Sequence, residues 1–397
     1  MNYKEFVNAL VKRKKLPLLV SLFSVFFLSL FSYILNNQAL FTGEDLNKFA
    51  WMQMLKNKLG IENQVSKDNV LFVNIAFDKQ LIELRDEYGM PIGNTDITDR
   101  KKLLDFLQML DSTKQYAYIF LDVFFEKDYN APEVDSLLFA KIRKMNNIVI
   151  ANHSNTELAE DQLLEKSAIS DFFSTLLTTN FVRYVYSMGD NKPSMPLFAF
   201  SELTQKTINK HWFIYTCNGR LCYNSLFVEF PIEEFNEFNS ENHKTFYNLG
   251  SDLLDNYSER DIGILTKDKY VVIGDMINEL HDTYSGKKPG SVITYYSFNA
   301  LMKEKHLVNY WLLLLMAIVY FVISFSQFNQ QSVIERMPYI AKSNFLRFIM
   351  SLVGYSILLG AIVILLNLCF DISTSIILPS VYFAIQKNII NYKRSKV

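Results

Sequence analysis

LPLLVSLFSVFFLSLFSYIL, residues 16–35, contains no charged side chain and decides the first feature of the fold. A helix of about 20 residues, rising ~1.5 Å per residue, crosses a hydrocarbon core of roughly 30 Å. The basic residues Lys12, Arg13, Lys14 and Lys15 stand directly before it. A cleaved signal peptide also has a basic start and an apolar run, but its apolar core is shorter and a small-residue cleavage site follows it. We therefore interpret residues 16–35 as an uncleaved transmembrane anchor.

Three further apolar stretches lie near the C-terminus. LVNYWLLLLMAIVYFVISF, residues 307–325, and FIMSLVGYSILLGAIVILLNLCF, residues 348–370, are uncharged and long enough to span a bilayer. Residues 374–390 are less apolar and hold Pro379 near their first turn, where the missing N–H of proline costs little. We predict transmembrane helices at all three stretches, which gives four crossings in total.

The basic residues outside these stretches predict the topology. Lys and Arg are retained on the cytoplasmic side of a membrane, and they occur here in residues 1–15, 326–347 and 391–397. These three segments lie on one side of the membrane only if the chain crosses it four times. We therefore predict a cytoplasmic arm, loop and tail, with residues 36–306 on the outer side.

Residues 36–306 have the pattern of an α/β domain. The predicted elements of its first half are strands at residues 70–77, 116–125 and 147–151, a loop at Gly89, Pro91 and Gly93, a helix from Arg100 capped by Thr98 or Asp99, and a helix at residues 132–145. Nearly continuous apolar strands are typical of strands buried on both faces. Their alternation with helices predicts parallel pairing.

The second half of this region mixes short strands with helices. The predicted elements are strands at residues 181–188, 212–215, 226–230 and 270–274 and helices at residues 196–208 and 291–304. The predicted fold is therefore an α/β extracytoplasmic domain with a mixed, partly parallel sheet, joined to an α-helical bundle of four transmembrane helices.

Two cysteines, Cys217 and Cys222, flank the sequence NGRL. Asn-Gly is a strong hairpin-turn signal because both residues tolerate positive φ. Outside the cytoplasm the two thiols could form a disulfide across the hairpin, which is the interpretation that we prefer, or remain reduced. A second pair of ligands with zinc spacing is missing from the sequence, so we expect no metal site.

Several aspartates follow or flank the predicted strands. Asp78, Asp128, Asp275 and Asp282 are the candidate ligand-binding residues, because ligand sites of open α/β sheets lie at the carboxyl ends of parallel strands. If these groups converge, they could bind a cation or a cationic ligand. The alternative is that they accept hydrogen bonds from backbone N–H groups in caps and turns. Asp122 falls inside a predicted strand, and we expect it to be structural.

The sequence excludes several functional classes. It contains no GxSxG, HExxH or P-loop motif, so we expect neither catalysis nor a cofactor. The net charge is -1 and no basic block occurs, which argues against nucleic-acid binding. The first three predicted spans are uncharged, which argues against an ion pathway.

Two small residues, Ser356 and Gly360, lie one helical turn apart in the third predicted span. Such a step permits close packing between membrane helices, within one chain or in a dimer, but it is also common by chance.

The order of several motifs resembles the second family of CHASE domains, the cyclase- and histidine-kinase-associated sensory extracellular domains of bacteria. The similar stretches are VNIAFD at residues 73–78, YIFLDVFFEKDYNAPEVDSLLFAKIRK at 118–144, VVIGDM at 271–276 and HDTYSGKKPGSVITYYSFNAL at 281–301. That family also has one membrane helix before the domain and three after it. The resemblance implies a sensor in the bacterial inner membrane, with its sensory domain in the periplasm or the external medium.

Members of that family usually continue into a cytoplasmic output domain, whereas this sequence ends at Val397. We therefore expect a signal to pass to a membrane or cytoplasmic protein partner in trans, with a homo-oligomer as a further arrangement. The alternative is a structural anchor or scaffold subunit of a bacterial cell-envelope complex that binds no ligand.

Overall fold

The structure is a computed structural model of the chain. It describes residues 15–37, 55, 58–59, 69–86, 88–127, 129, 131–153, 157–172, 183–188, 192–230, 245–329, 344–370 and 376–395. The chain divides into two compact units, one formed by residues 61–307 and the other by residues 1–60 together with 308–397.

Helices and strands alternate along much of the chain. The helices are α1 (Lys15–Asn36), α2 (Arg100–Thr113), α3 (Pro132–Lys144), α4 (Met195–Thr204), α5 (Glu259–Thr266), α6 (Gly290–Met302), α7 (Tyr310–Asn329), α8 (Asn344–Phe370) and α9 (Ile377–Ser395). The strands are β1 (Val70–Asn74), β2 (Lys79–Arg85), β3 (Pro91–Thr98), β4 (Tyr118–Asp122), β5 (Ile148–Asn152), β6 (Ser167–Ile169), β7 (Arg183–Val185), β8 (Ser187–Met188), β9 (Lys192–Pro193), β10 (Ile208–His211), β11 (Ile214–Cys217), β12 (Arg220–Cys222), β13 (Ser225–Phe227), β14 (Phe246–Asn248), β15 (Tyr270–Gly274), β16 (Leu280–Thr283) and β17 (Gly286–Pro289). A 3-10 helix spans Asp161–Lys166 and a π-helix spans Leu249–Leu254.

A six-stranded sheet with the order β14-β1-β15-β4-β5-β6 forms the centre of the first unit. Each of its pairings is parallel. Alternate side chains of one strand therefore enter two different cores: Phe72 packs on the side of α4 and α6, whereas Leu71 and Val73 pack on the side of α2, α3 and α5. The sheet is thus a middle layer between two helical layers, as the continuous apolar strands predict.

The parallel β-α-β-α-β order and most of the predicted helices and strands are confirmed. Asp99 caps α2 by accepting a hydrogen bond from the backbone N–H of Lys102. The antiparallel pairs lie in separate small sheets rather than in one mixed sheet.

The loop predicted at Gly89, Pro91 and Gly93 is confirmed only at Gly89, because Pro91 and Gly93 lie in β3. Strands β2 and β3 pair there as an antiparallel hairpin, from Lys79 opposite Thr98 to Arg85 opposite Pro91. Strand β3 is exposed along most of its length. Its sequence therefore lacks the clear alternation of apolar and polar residues that marks a half-buried strand. We call this β2–β3 pair the hairpin arm.

The predicted Asn-Gly hairpin is confirmed, but the disulfide is not formed. Asn218 and Gly219 both have positive φ and join β11 to β12. Cys222 lies opposite Tyr215, and Cys217 lies opposite Arg220. Such diagonal neighbours lie roughly 7–8 Å apart, with a somewhat shorter Cβ–Cβ distance, whereas a disulfide requires Cβ atoms about 4 Å apart. Both side chains are buried as thiols.

Within the described residues, three helices of the second unit are long and apolar enough to cross a membrane: α1, α7 and α8. The chain is therefore a membrane protein. The fourth predicted span is a helix, α9, but it carries Gln386, Lys387, Asn388 and Lys393, and it is not among the three. A fourth crossing remains a prediction.

At Gly360, the small-residue step in α8 makes no close contact with the described residues. A Cβ atom at Gly360 would meet only the Cδ1 atom of Ile376, at an ordinary 3.9 Å. Ser356 is half-buried on the same helix. Tight packing at this step inside one chain is therefore not observed, and its role in a dimer stays a prediction.

Candidate functional site

A cavity of about 270 Å³ lies at the carboxyl edge of the parallel sheet, where β4 and β15 end. This edge is where open α/β sheets bind ligands. The described lining residues are acidic (Asp96, Asp122, Glu126, Asp275, Glu279), basic (Lys79, Arg100) or uncharged (Ile75, Ile97, Thr98, Val123, Phe124, Tyr129). Lys79 of β2 and residues 96–98 of β3 supply one wall of the cavity.

Asp122 is the last residue of β4 and lies opposite Gly274 of β15. Its carboxyl group is removed from bulk water, which raises its pKa to about 7, and the nearby charge of Glu279 adds to the shift. Burial and a like charge both disfavour ionisation. Asp122 therefore holds its proton more tightly than an exposed aspartate does.

Glu279 and Asp275 belong to the segment that follows β15. Loss of hydration, followed by the charge of Asp275, raises the pKa of Glu279. Burial opposes ionisation of Asp275, but hydrogen bonds from Asn278 hold its pKa below the usual value. The Nζ atom of Lys79 lies 3.4 Å from Oδ2 of Asp275. Asp275 is thus a satisfied carboxylate, whereas Glu279 lines the cavity with its side chain still exposed to solvent.

Arg100 is the first residue of α2 and is only 2% exposed. Its guanidinium lies 4.5 Å above the ring of Phe125, and its Nε atom is 3.5 Å from Oδ1 of Asp135. That separation allows an ion pair but not a good hydrogen bond. The Nε and Nη1 atoms of Arg100 donate no hydrogen bond to the described residues. The Oδ1 atom of Asp135 also lacks a hydrogen bond from the described residues, so Arg100 and Asp135 form a buried, loosely spaced ion pair.

The structure places the predicted candidate Asp78 outside the cavity. Its carboxylate accepts a hydrogen bond from Nζ of Lys102 at 2.7 Å and from the backbone N–H of Gly250 at 3.1 Å. These contacts agree with the alternative role, in which the aspartate stabilises the local fold by accepting hydrogen bonds. Asp275 combines the two roles, because it lines the cavity while accepting hydrogen bonds from Ile277 and Asn278.

The two remaining candidates do not join this group. Asp282 is exposed on β16, opposite Lys287 of β17, and Asp128 lies outside the described residues. Over the parts of the chain that the structure describes, no set of three or more His, Cys, Asp or Glu side chains is arranged to hold a metal ion.

Sequence reasoning missed Asp122, Glu279, Arg100 and Lys79. Asp122 ends an apolar strand just as Asp78 and Asp275 follow theirs, but the apolar residues after it suggested a longer strand. An aspartate at the end of an apolar run was thus a signal that could have identified the strand end at Asp122. The other three carry no local signal, because only the folded sheet brings their side chains to one cavity.

Comparisons with known proteins do not identify the chain: no protein-family model, no curated protein and no solved structure matches it.

Proposed function

We propose that the chain is a membrane-bound sensory or receptor subunit of the bacterial inner membrane. Residues 36–306 form a CHASE-like domain outside the cytoplasm, which detects a small molecule or an envelope signal. The signal passes to a membrane or cytoplasmic protein partner in trans.

The cavity at the carboxyl edge of the sheet is the observation that carries this proposal. It brings together the half-buried Asp122 and the exposed Glu279 at the carboxyl edge of the sheet. Burial and the nearby charge of Glu279 raise the pKa of Asp122 to about 7. A carboxyl group with a raised pKa in a cleft is typical of a functional site, so this cavity is the best candidate for a ligand site.

A backbone contact connects this cavity to the helix that leads to the membrane. The N–H of Gly290, the first residue of α6, donates a hydrogen bond to the backbone carbonyl of Glu279, at 3.1 Å. The side chain of Glu279 lines the cavity, and residues 303–309 connect α6 to α7. A ligand that moved Glu279 would therefore act directly on the start of α6. It could bias the signalling state only by binding the two states with different affinities.

We also propose that α9 crosses the membrane, so that both chain ends face the cytoplasm. Phe383 of α9 is fully buried in a cluster with Leu28 of α1, Tyr320 of α7 and Leu359 of α8. The hydroxyl of Tyr382 lies 2.8 Å from that of Ser24, and the amide of Gln386 donates to Ser324 at 2.8 Å. Polar side chains of α9 thus find partners inside the helical bundle, as is required within a bilayer.

Cysteine labelling tests this topology in a chain whose native cysteines are replaced by serine. We expect a membrane-impermeant maleimide to label Asp105→Cys in intact spheroplasts, whereas Lys393→Cys reacts only after permeabilisation. Labelling of Lys393→Cys from outside would contradict the fourth crossing.

Ligand detection is tested with the full chain purified in detergent. We expect at least one compound of a metabolite panel to raise the unfolding temperature of the wild-type protein. The same compound should have a much smaller effect on Asp122→Asn. Asp105→Asn, at a half-buried position of α2 outside the cavity, is the matched control. Cross-linking in native membranes should recover a signalling partner. The receptor function fails if no compound stabilises the folded protein and no signalling partner is recovered.

A scaffold in an envelope complex is the second candidate, and the hairpin arm favours it. Leu81 and Ile92 of this arm, with Tyr88 and Met90 of the turn between its strands, are exposed apolar side chains, and such a concentration is typical of a protein interface. A scaffold predicts stoichiometric purification with envelope proteins, loss of these partners after Tyr88→Ser and Ile92→Ser, and no stabilisation by small molecules.

A further inference from the structure

We infer that the amino edge of the parallel sheet is a basic surface that contacts the anionic lipid headgroups of the bilayer. Residues 114–117, 144–147 and 267–269 form this surface, which we call the basic edge. The inference goes beyond the proposed receptor function and needs no ligand in the cavity.

The three segments of the basic edge lie side by side because they precede neighbouring parallel strands. Residues 114–117 lead into β4, 144–147 into β5 and 267–269 into β15, and the strand order is β15-β4-β5. Two backbone hydrogen bonds of 2.8 Å join the segments before β4 and β15. The hydroxyl of Tyr116 donates to the carbonyl of Asn146 at 3.3 Å and joins the segments before β4 and β5. The basic edge is therefore one continuous surface.

The charge of this surface is mostly positive. It carries Lys114, Lys144, Lys267 and Lys269 but only one acidic residue, Asp268. The first three lysines are exposed and Lys269 is half-buried. None of the four lysine side chains forms an ion pair or a hydrogen bond with another described residue. Because exposed lysines are common on any protein surface, their position in the fold decides what they do.

The opposite edge of the same sheet is acidic. Asp122, Asp275 and Glu279 line the cavity there. Strand β15 thus begins directly after a lysine, Lys269, and ends directly before an aspartate. A domain with opposite charges at its two edges is oriented by a charged surface. An anionic surface would attract the basic edge and leave the cavity on the far side.

Helix α6 shows which edge the chain follows toward the membrane. A Cβ atom at Gly274, the last residue of β15, would lie 2.8 Å from Cβ of Ser291 near the start of α6. The ring of Phe298 packs 5.0 Å from that of Tyr270, the first residue of β15. Helix α6 is therefore antiparallel to β15, and it ends, at Met302, on the same side of the sheet as the four lysines.

The chain enters the membrane soon after α6 ends. Leu307, the last residue of the first unit, pairs with Cys222, and α7 begins at Tyr310. An extended chain covers at most about 3.6 Å per residue, so this connection is no longer than roughly 11 Å. Attraction between charges acts over about 8 Å at physiological salt, and lysines close to a membrane helix attract anionic headgroups. The bilayer surface is therefore the partner that fits the basic edge.

Fluorescence quenching by lipids tests this inference with the full chain in vesicles, after serine has replaced the native cysteines. The fluorophore bimane is attached to Gln115→Cys on the basic edge or to Asn94→Cys on the hairpin arm. The quencher is a nitroxide on the headgroup of phosphatidylcholine, which acts only at close range. We expect stronger quenching at Gln115→Cys than at Asn94→Cys. Adding phosphatidylglycerol, an anionic lipid, should increase the quenching at Gln115→Cys.

Two pairs of substitutions localise the charges. Lys267→Gln with Lys269→Gln removes two charges from the basic edge, and Lys101→Gln with Lys127→Gln removes two exposed charges elsewhere. Each lysine at an anionic surface favours the bound state by about fivefold. The first pair should therefore lower the quenching at Gln115→Cys to nearly its level in phosphatidylcholine alone, whereas the second pair should leave it unchanged. Unfolding temperatures in detergent verify that both proteins are folded.

Added salt should also reduce the quenching at the basic edge, because it screens the attraction between charges. The inference is overturned if bimane on the hairpin arm is quenched as strongly as bimane on the basic edge. It is equally overturned if phosphatidylglycerol has no effect on wild type, or if the two pairs of substitutions act alike. Because no ligand is used, this inference and the receptor function can fail separately.

Discussion

The carboxylate of Asp78 accepts a hydrogen bond from the backbone N–H of Gly250, with 3.1 Å between Oδ2 and N. This contact joins the segment after β1 to the π-helix Leu249–Leu254, which follows the neighbouring strand β14. It leaves no room for a side chain at Gly250, since a Cβ atom there would overlap Oδ1 of Asp78 and lie 2.9 Å from Nζ of Lys102.

Gly250→Ala is therefore expected to destabilise the protein by about 1–3 kcal/mol, as overpacking does in well-packed sites. The loss arises because the added methyl group breaks the contact between Asp78 and Lys102. Chemical denaturation of the full chain in detergent measures it. Gly354→Ala is the control, because a Cβ atom there meets nothing within 4 Å. Equal stability of the two variants would contradict the tight approach.

Alanine substitution separates the aspartates by role. Asp78→Ala leaves the Gly250 N–H and Lys102 without their acceptor, and we expect a loss of about 1–3 kcal/mol. Asp282→Ala removes an exposed side chain and should change stability by less than about 0.5 kcal/mol. Unfolding measurements on both variants check this. A stable Asp78→Ala protein that loses ligand binding would instead assign Asp78 to the site.

Asp122 should make stability depend on pH near neutrality. Its pKa rises from 3.8 to about 7 on folding, so the folded state binds more protons than the unfolded state in this interval. Stability therefore falls as the pH rises from about 4 to about 7, then levels off. Melting curves of wild type and Asp122→Asn at pH 5 and pH 8 isolate this contribution. Relative to wild type, the variant should be more stable at pH 8 than at pH 5. An equal change in stability with pH for the two proteins would contradict the raised pKa of Asp122.

His306 should have the opposite pH dependence. The side chain is buried against Phe200, and neither ring nitrogen has a hydrogen-bond partner among the described residues. Burial lowers its pKa from 6.5 to about 4. The folded state thus disfavours the protonated ring, and stability is lost as the pH falls from about 6.5 to about 4.

His306→Leu should therefore flatten the acid side of the stability profile. The measurement is the unfolding midpoint at pH 7 and pH 5 for wild type and variant. His211→Leu, at an exposed histidine of β10, should behave as wild type. If His306→Leu loses as much stability between pH 7 and pH 5 as wild type does, other groups cause that loss.

The two hairpin cysteines should react as protected thiols. Burial raises the pKa of Cys217, and it raises that of Cys222 to about 12. Since the thiolate is the reactive form, both should resist iodoacetamide in the folded protein. In denaturant without reductant, both should be alkylated, as read by peptide mass spectrometry. Alkylation that requires reductant would restore the disulfide interpretation.

Much of the fold was predictable because its signals are local. The strand Tyr270–Gly274 was found at its observed bounds, and the cap of α2 was found at Asp99. The hairpin arm was missed because its exposed strand lacks a buried face. Cysteine spacing also does not report the diagonal register of β11 and β12, which keeps Cys217 and Cys222 from lying directly opposite each other.

The sequence by itself determined the membrane helices and most strands of the central sheet. Long uncharged runs are stable in lipid, and short continuous apolar runs are stable in a buried sheet, so both can be recognised locally. Only the tertiary structure decided which charges share the cavity. Asp122, Glu279 and Arg100 lie on different elements, and the strand order β1-β15-β4 brings those elements to one edge. Strand order depends on contacts between distant parts of the chain, and no local pattern of residues records them.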